Sequence, residues 1–488
     1  MWRHALSSTE QRLEVERFLA QLRAFPDFFE ADVPVSLARA PGRLDVIGGI
    51  ADYSGSLVLE MPLAVATLVA VQPVPEPMVT ILSTAAEGIG SMPLVTIALH
   101  TLCPPGKPLD YTTAHQLLMT DARSSWIAYI AGVLVVLQRE RQIEFPHGLR
   151  IFVSCDVPIG KGVSSSASLE VATMQALCAL ANRPLDERAL ALLCQKVENA
   201  VVGAPCGIMD QFSVVSGKPG HLLALRCQPA ELQEAVPVPE EIEFWGIDSG
   251  IRHAVTGSDY EAVRVGAFMG YRILAEKAGL AVKQLGRGVV EIADPCWGGY
   301  LANISPSIWE RFYRDEVPLN LRGDDFLALY GGSTDTVTHI NPDQLYAVRQ
   351  PTAHPIYEHQ RARLFRALLA KHPLTEEHLL LLGELMYQAH ASYSACGLGS
   401  DGTDRLVELV SEAGPAQGLY GAKITGGGSG GIVVVLGRRT ASTPVQQIAA
   451  RYEQETRRQV SLLSGTSSGA LAWGTVSFRL ERDFLLRE

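Results

Sequence analysis

Serines, two carboxylates and one arginine supply the chemistry this sequence offers. The serines stand in Asp156–Glu170 (DVPIGKGVSSSASLE), after the strand-like Leu149–Val157. They head a run in which Ala167, Val171, Met174, Cys178 and Ala181 recur at helical spacing until Pro184 stops it. That order puts them at a helix N-terminus, where free backbone N–H groups and the positive end of the helix dipole attract an anion. Gly160 and Gly162 let the backbone approach that anion closely. Gly160, Lys161, Gly162, Val163, Ser164, Ser165, Ser166 and Ala167 therefore read as a phosphate cradle, with the Ser165 and Ser166 hydroxyls placed to meet a phosphate-bound Mg²⁺.

The carboxylates follow. A helix is predicted over Asp186–Val202, its apolar stripe formed by Leu190, Leu193, Cys194, Val197 and Val201 and ended by Gly203 and Pro205. Glu198 lies on the shoulder of that stripe, where a carboxylate either pairs with a cation or binds a metal. Asp210 stands among apolar neighbours in Gly203–Gln211. Burial raises the pKa of an aspartate and a nearby cation lowers it, so an ionised Asp210 needs a positive partner. Arg43 is the candidate.

Other glycine-rich strings carry less. A Walker A loop fails twice, at Cys155 and at Gly162, and a dinucleotide fingerprint fails at Ser165. The string GLGSDG at Gly397–Gly402 has the dinucleotide-binding spacing but follows no strand, so a turn or helix end is expected there. In Lys423–Gly431 (KITGGGSGG), five glycines in six positions precede the β-branched Ile432–Val435. Such a loop exists where side chains would collide with a neighbouring segment or ligand, or where a hairpin turns.

These groups must be positioned by a large, mixed scaffold. A chain of 488 residues exceeds what one core usually fills, and 47% apolar with 19% charged residues supports a compact globule. Tightly apposed domains are expected, cut near Cys227–Pro239, where prolines interrupt regular structure. A net charge of −11 excludes non-specific attraction to nucleic acid or anionic membrane as the main activity. The charged N-terminal stretch lacks a signal-peptide core, and the longest apolar run, Trp126–Leu137, is too short to span a membrane, so a cytoplasmic location is expected. Eight scattered cysteines without a CxxC pair predict free thiols. The histidine strings 354–359 and 372–378 lack metal-ligand spacing and read as structural.

In combination, Ala40–Tyr53 (APGRLDVIGGIADY), the serine loop and Lys423–Gly431 resemble the three-motif signature of the GHMP small-molecule kinase superfamily. The strings VENAVVGAPCGIMDQ, FWGIDSGIRH and SACGLGSDGTDRL are similar to its galactokinase branch, and within it to the L-arabinokinases. The resemblance implies an α+β fold: an N-terminal ribosomal-S5-like β/α domain (1–228), a C-terminal ferredoxin-like α/β domain (229–488), and an active site in the cleft between them. It implies an ATP-dependent, Mg²⁺-requiring kinase that phosphorylates the anomeric hydroxyl of a monosaccharide, acting as a monomer or weak homo-oligomer. By the same resemblance, Asp210 and Arg43 are catalytic, Glu198 and Ser166 hold Mg²⁺, and Gly427 and Gly428 join the cradle. Asp52, Gly49, Ile50, Gly207 and Tyr260 face the sugar; for Tyr260 a packed aromatic with a satisfied hydroxyl is the alternative.

Galactokinases usually read Gly-Glu-His-x-Asp-Tyr where this chain reads Gly48-Gly49-Ile50-Ala51-Asp52-Tyr53. The missing pair serves the sugar's C6 end in that branch, and L-arabinopyranose is D-galactopyranose without the C6 hydroxymethyl group. L-Arabinose, giving L-arabinose 1-phosphate, is therefore the expected substrate, with galactose or another hexose or uronic acid as the alternative. Restoring Glu at 49 and His at 50 is expected to move preference toward galactose. Of another class is a non-catalytic sensor of sugar and ATP, which intact Arg43, Ser166, Glu198 and Asp210 disfavour. The stretch 294–346 either caps the sugar pocket or thickens the second domain.

Overall fold

The computed structural model describes residues 9–86, 88, 90–252 and 258–481. Its backbone is built around β1 (Pro34–Ile47) and β2 (Leu57–Val74), long antiparallel neighbours at the centre of a sheet of nine strands among the described residues. β1 is buried along all but its first residue because both its faces meet a core. Ala38 and Ala40 face a helical layer, while Leu37, Leu44 and Val46 face other clusters. Its register slips between Pro41 and Arg43. A bulge tolerates the missing N–H of Pro41 and re-aims the next side chain, which is Arg43.

The helical layer includes α1 (Ser165–Leu180), α2 (Glu187–Lys196) and α3 (Met209–Ser216) beside the helix Ala128–Arg141. Asp186 caps α2 by accepting from the Ala189 N–H at 2.7 Å. The helix predicted to run to Val202 does not stay α-helical. Val197–Val202 widens into a π turn, closed by the Gly203 N–H donating to the Glu198 carbonyl at 2.9 Å, with Gly203 at φ 84. Such turns re-aim side chains at functional sites, and Glu198, expected on a shoulder, is only 3% exposed.

The second half carries an antiparallel four-stranded sheet of β3 (Ile242–Asp248), β4 (Leu419–Ile424), β5 (Ile432–Arg438) and Leu462–Leu463, with α4 (Arg349–Leu369) and α5 (Glu376–Ala395) packed nearby. One hydrophobic cluster holds Leu44, Leu59 and Val163 together with Phe244, Met386, Ile432 and Val434, so the halves share a core. A cut at 228/229 also leaves an exception: the strand Thr475–Arg479 pairs with Pro34–Ala38 in the first sheet. Gly397–Ser400 is the turn between α5 and the helix Asp401–Ala413, which Ser400 caps and whose first turn holds Gly402.

Helix Ser258–Lys277 and the stretch 294–346 form a further lobe. Trp297, Leu301, Ile304 and Trp309 share a cluster with Ile50, Tyr53 and Tyr393. This lobe packs on the turn Gly49–Ser54; the wall of the cavity that holds Asp52 and Asp210 contains none of residues 294–346, but Gly299, Tyr300 and Thr334–Val337 line an adjoining cavity that shares Cys206 and Gly207 with it.

Candidate active site between the serine loop and the first-motif turn

One cavity gathers Arg43, Ile50, Asp52, Gly160, Gly162, Ser164–Ser166, Glu198, Gly207, Asp210, Tyr260 and Gly427. Each arrives by its own device. The serine loop leaves Cys155, passes through Gly160 and Gly162 at φ 69 and 73, and enters α1 from Ser164, itself left-handed at φ 62. The Ser164 hydroxyl is buried and has no hydrogen-bond partner in the protein. An orphaned hydroxyl beside the open N–H groups of a helix start suits an anionic group that would satisfy both.

At the centre, Arg43 donates from Nε (3.0 Å) and Nη2 (2.6 Å) to the Asp210 carboxylate and from Nη1 (2.6 Å) to the Gly162 carbonyl. Its Nε also lies 3.2 Å from Glu60. Burial works against the Arg43 charge, yet Asp210, Glu60 and Asp45 around it keep the guanidinium above its ordinary pKa and protonated. Arg43 therefore holds Asp210 in place and ties it to the serine loop. Asp210 keeps 20% of its side chain exposed to the cavity.

Beside this pair, burial and then the Glu198 neighbour Asp210 push Glu198 up to about 7, against hydrogen bonds that include one from Ser166. Gln211 Nε2 donates to its Oε2 at 2.8 Å. Ser166 and Glu198 together form a hard-oxygen donor set of one hydroxyl and one carboxylate. Mg²⁺ takes few protein carboxylates and completes its shell with substrate phosphates and water, so these residues fit it. Among the described residues, no cluster of three or more His, Cys, Asp or Glu could hold a metal alone.

Asp52 is 2% exposed, and its Oδ1 accepts from the Tyr53 N–H at 2.6 Å. Burial, then repulsion from Asp210, raises it to about 7, while Arg264 opposes the shift. A Cβ on Gly207 would lie 1.6 Å from Asp52 Oδ2, so only glycine lets the loop approach this carboxyl. The raised value fixes a sign. The folded state binds the Asp52 proton more tightly than the unfolded chain, so that stability is complete below the unfolded value of 3.8 and is lost as pH rises through about 7. In the ligand-free protein, wild type is expected to lose on the order of a few kcal/mol relative to Asp52→Asn between pH 4 and 8, measured by denaturant unfolding. Parallel pH profiles for the two would contradict the assignment.

Five of the residues singled out in the sequence are off the cavity wall. Lys161 pairs with Asp248 at 3.0 Å. Val163 and Ala167 are buried in the two flanking cores, and Gly428, at φ 82, packs on Leu398. Gly49 is enclosed: a Cβ there would meet the Tyr393 hydroxyl oxygen at 1.6 Å and Asp45 Oδ2 at 2.6 Å. A side chain at 49 therefore requires Tyr393 and Asp45 to shift. Tyr260 is on the wall and edge-on to Tyr53, with ring centroids 6.1 Å apart. Arg252 is exposed, and the neighbouring residues 253–257 of the same string lie outside the described residues.

Other residues had not been singled out. Lys423 and Asp45, both fully buried, pair at 2.6 Å and join the third motif to the first. Arg264 pairs with Asp335 at 2.8 Å and reaches the Pro205 and Cys206 carbonyls. Lys423 had a signal in its place beside the glycine cluster; Arg264 had none.

Residues 128–218 match the GHMP kinases N terminal domain, 366–454 the GHMP kinases C terminal domain, and 23–73 the galactokinase galactose-binding signature. The chain is 42% identical to an L-arabinokinase of Arabidopsis thaliana over 97% of its own length, and spans about half (49%) of that protein. It is 31% identical to a galactokinase of Chloroflexus aurantiacus, covering 85% of this chain and 86% of the relative. In fold it resembles Lactococcus lactis galactokinase complexed with galactose, at a TM-score of 0.68 and 21% identity over 96% of this chain and 100% of that one.

Proposed function

The chain belongs to the GHMP kinases, and on that footing we propose that it is a sugar 1-kinase, transferring the γ-phosphoryl group of ATP to the anomeric hydroxyl of L-arabinose. The observation that carries this reading is the single cavity in which the serine helix start and the Arg43–Asp210 pair stand together with Asp52 and Ile50.

The phosphates lie against the N–H groups and hydroxyls of Ser164–Ser166, which substitute for their water shell. Ser166 and Glu198 would hold Mg²⁺, which would neutralise phosphate charge when bound. Asp210, kept oriented by Arg43, faces the sugar's anomeric hydroxyl and accepts its proton as transfer proceeds. Asp52 bonds ring hydroxyls. Three of the five N–H donors of Arg43 go to Asp210 and the Gly162 carbonyl, so it acts on the reaction by fixing those two groups.

The pentose preference rests on Ile50. Its side chain is 1% exposed and lines the cavity where a polar partner would otherwise stand. An apolar wall alone rejects an added hydroxyl only about 10²-fold, so the volume of Ile50 supplies the rest. A screen of free sugars with ATP and Mg²⁺, read as sugar-dependent ADP release, tests the proposal. The highest kcat/KM is expected for L-arabinose, with D-galactose below it. Preference for galactose would overturn the substrate, and absence of release with every sugar would overturn the activity.

A further inference from the structure

The turn that bears Ile50 makes few backbone hydrogen bonds to its own strand, so its N–H groups look elsewhere for acceptors. Gly48 N–H donates to Glu358 Oε1 at 3.0 Å, Gly49 N–H to Asp45 Oδ1 at 3.1 Å, and Ile50 N–H to the Tyr393 hydroxyl at 2.9 Å. Two of these three acceptors come from helices α4 and α5, more than 300 positions away in the chain. Tyr393 is fully buried, and its hydroxyl in turn has two acceptors for its one proton, the Gly426 carbonyl at 3.1 Å, one residue before Gly427 on the cavity wall, and Asp45 Oδ2 at 3.4 Å. The same oxygen occupies the place a side chain at 49 would need, 1.6 Å from that Cβ.

We propose that Tyr393 is a positioning residue for sugar selectivity: its hydroxyl pins the Ile50 wall, ties that wall to the third-motif glycine loop, and makes any side chain at position 49 incompatible with the native packing. The proposal rests on the sugar-kinase reading above for what Ile50 faces, but not for the packing. Residue 49 and residue 393 form one steric unit. A chain that carries a side chain at 49 must give up this hydroxyl, and with it the acceptor that holds the next N–H.

The test is a cycle of Gly49→Ala, Tyr393→Phe and the double variant, with melting temperature and kinetics read on each. Alanine at 49 pays the same backbone strain in both backgrounds, since φ there is +31, so the strain cancels in the cycle. Gly49→Ala is expected to lower the melting temperature sharply in wild type and less in Tyr393→Phe, where the 1.6 Å contact is gone while Asp45 Oδ2 at 2.6 Å and the ring carbon at 2.8 Å still press on the new Cβ in both backgrounds. Additive shifts would overturn the steric claim.

In Tyr393→Phe alone, the Ile50 N–H is left unpaired and the wall loosens. The ratio of kcat/KM for L-arabinose over D-galactose is expected to fall about tenfold, within what a methylene-sized change in an apolar pocket is worth, because the loosened Ile50 wall gives way to the larger sugar. Simple destabilisation lowers both sugars in proportion, and that result would overturn the positioning role. Should wild type turn over neither sugar, the functional reading fails, while the melting cycle still decides the packing claim.

Discussion

Asp210→Asn is expected to lose turnover by about 10²–10⁴-fold while its affinity for ATP stays unchanged. The amide keeps the size of the side chain but can neither accept the hydroxyl proton nor balance the Arg43 charge. The nucleotide's contacts are expected along the serine loop, on separate elements: Ser164–Ser166 open α1, whereas Asp210 lies in α3. The check is kcat from ADP release beside a dissociation constant for ATP from calorimetry. Near-normal turnover would reject Asp210 as the proton acceptor. Loss of ATP binding would show that the residue serves the phosphate side instead.

Replacing Arg43 is expected to have two separable effects. Arg43→Lys keeps a cation but not the fork that spans Asp210 and the Gly162 carbonyl, so turnover is expected to fall about 10²–10³-fold with the fold intact. Arg43→Met removes the cation that pairs with Asp210 at 2.6 Å and lies 3.2 Å from the fully buried Glu60, leaving both carboxyls without it. Breaking a buried ion pair by removing one partner costs about 3–5 kcal/mol, to be read as a shifted denaturant midpoint at constant slope. An unchanged midpoint in Arg43→Met would mean that Glu60 is neutral in the native protein and does not depend on the arginine.

The parts of this arrangement legible in the sequence are those set by local rules. The serine helix start follows from helical spacing, two glycines and Pro184, and the need of Asp210 for a cation follows from its apolar neighbours. The mixed class and the union of three distant motifs were equally readable, the latter through resemblance. What was not legible depends on neighbours far along the chain. Glu198 turns inward because its helix ends in a π turn packed against Gly132, where added side-chain atoms would meet Val197 and Val201. The space around Gly49 is set by Tyr393 from α5 and by Asp45, so restoring Glu at 49 beside His at 50 also requires those two side chains to shift, which the sequence did not reveal. The return of Thr475–Arg479 to the first sheet has no local signature, since any short alternating strand could pair at either edge.

The central claim is that the serine loop and Asp210 serve one reaction, with the phosphoryl group passing to the carbon-1 hydroxyl of a pentose. Phosphorus NMR of the product formed from ATP, Mg²⁺ and L-arabinose tests it most directly. The account predicts a new resonance coupled to the anomeric proton, appearing in step with ADP. A resonance coupled to any other sugar proton, or inorganic phosphate alone, would contradict it.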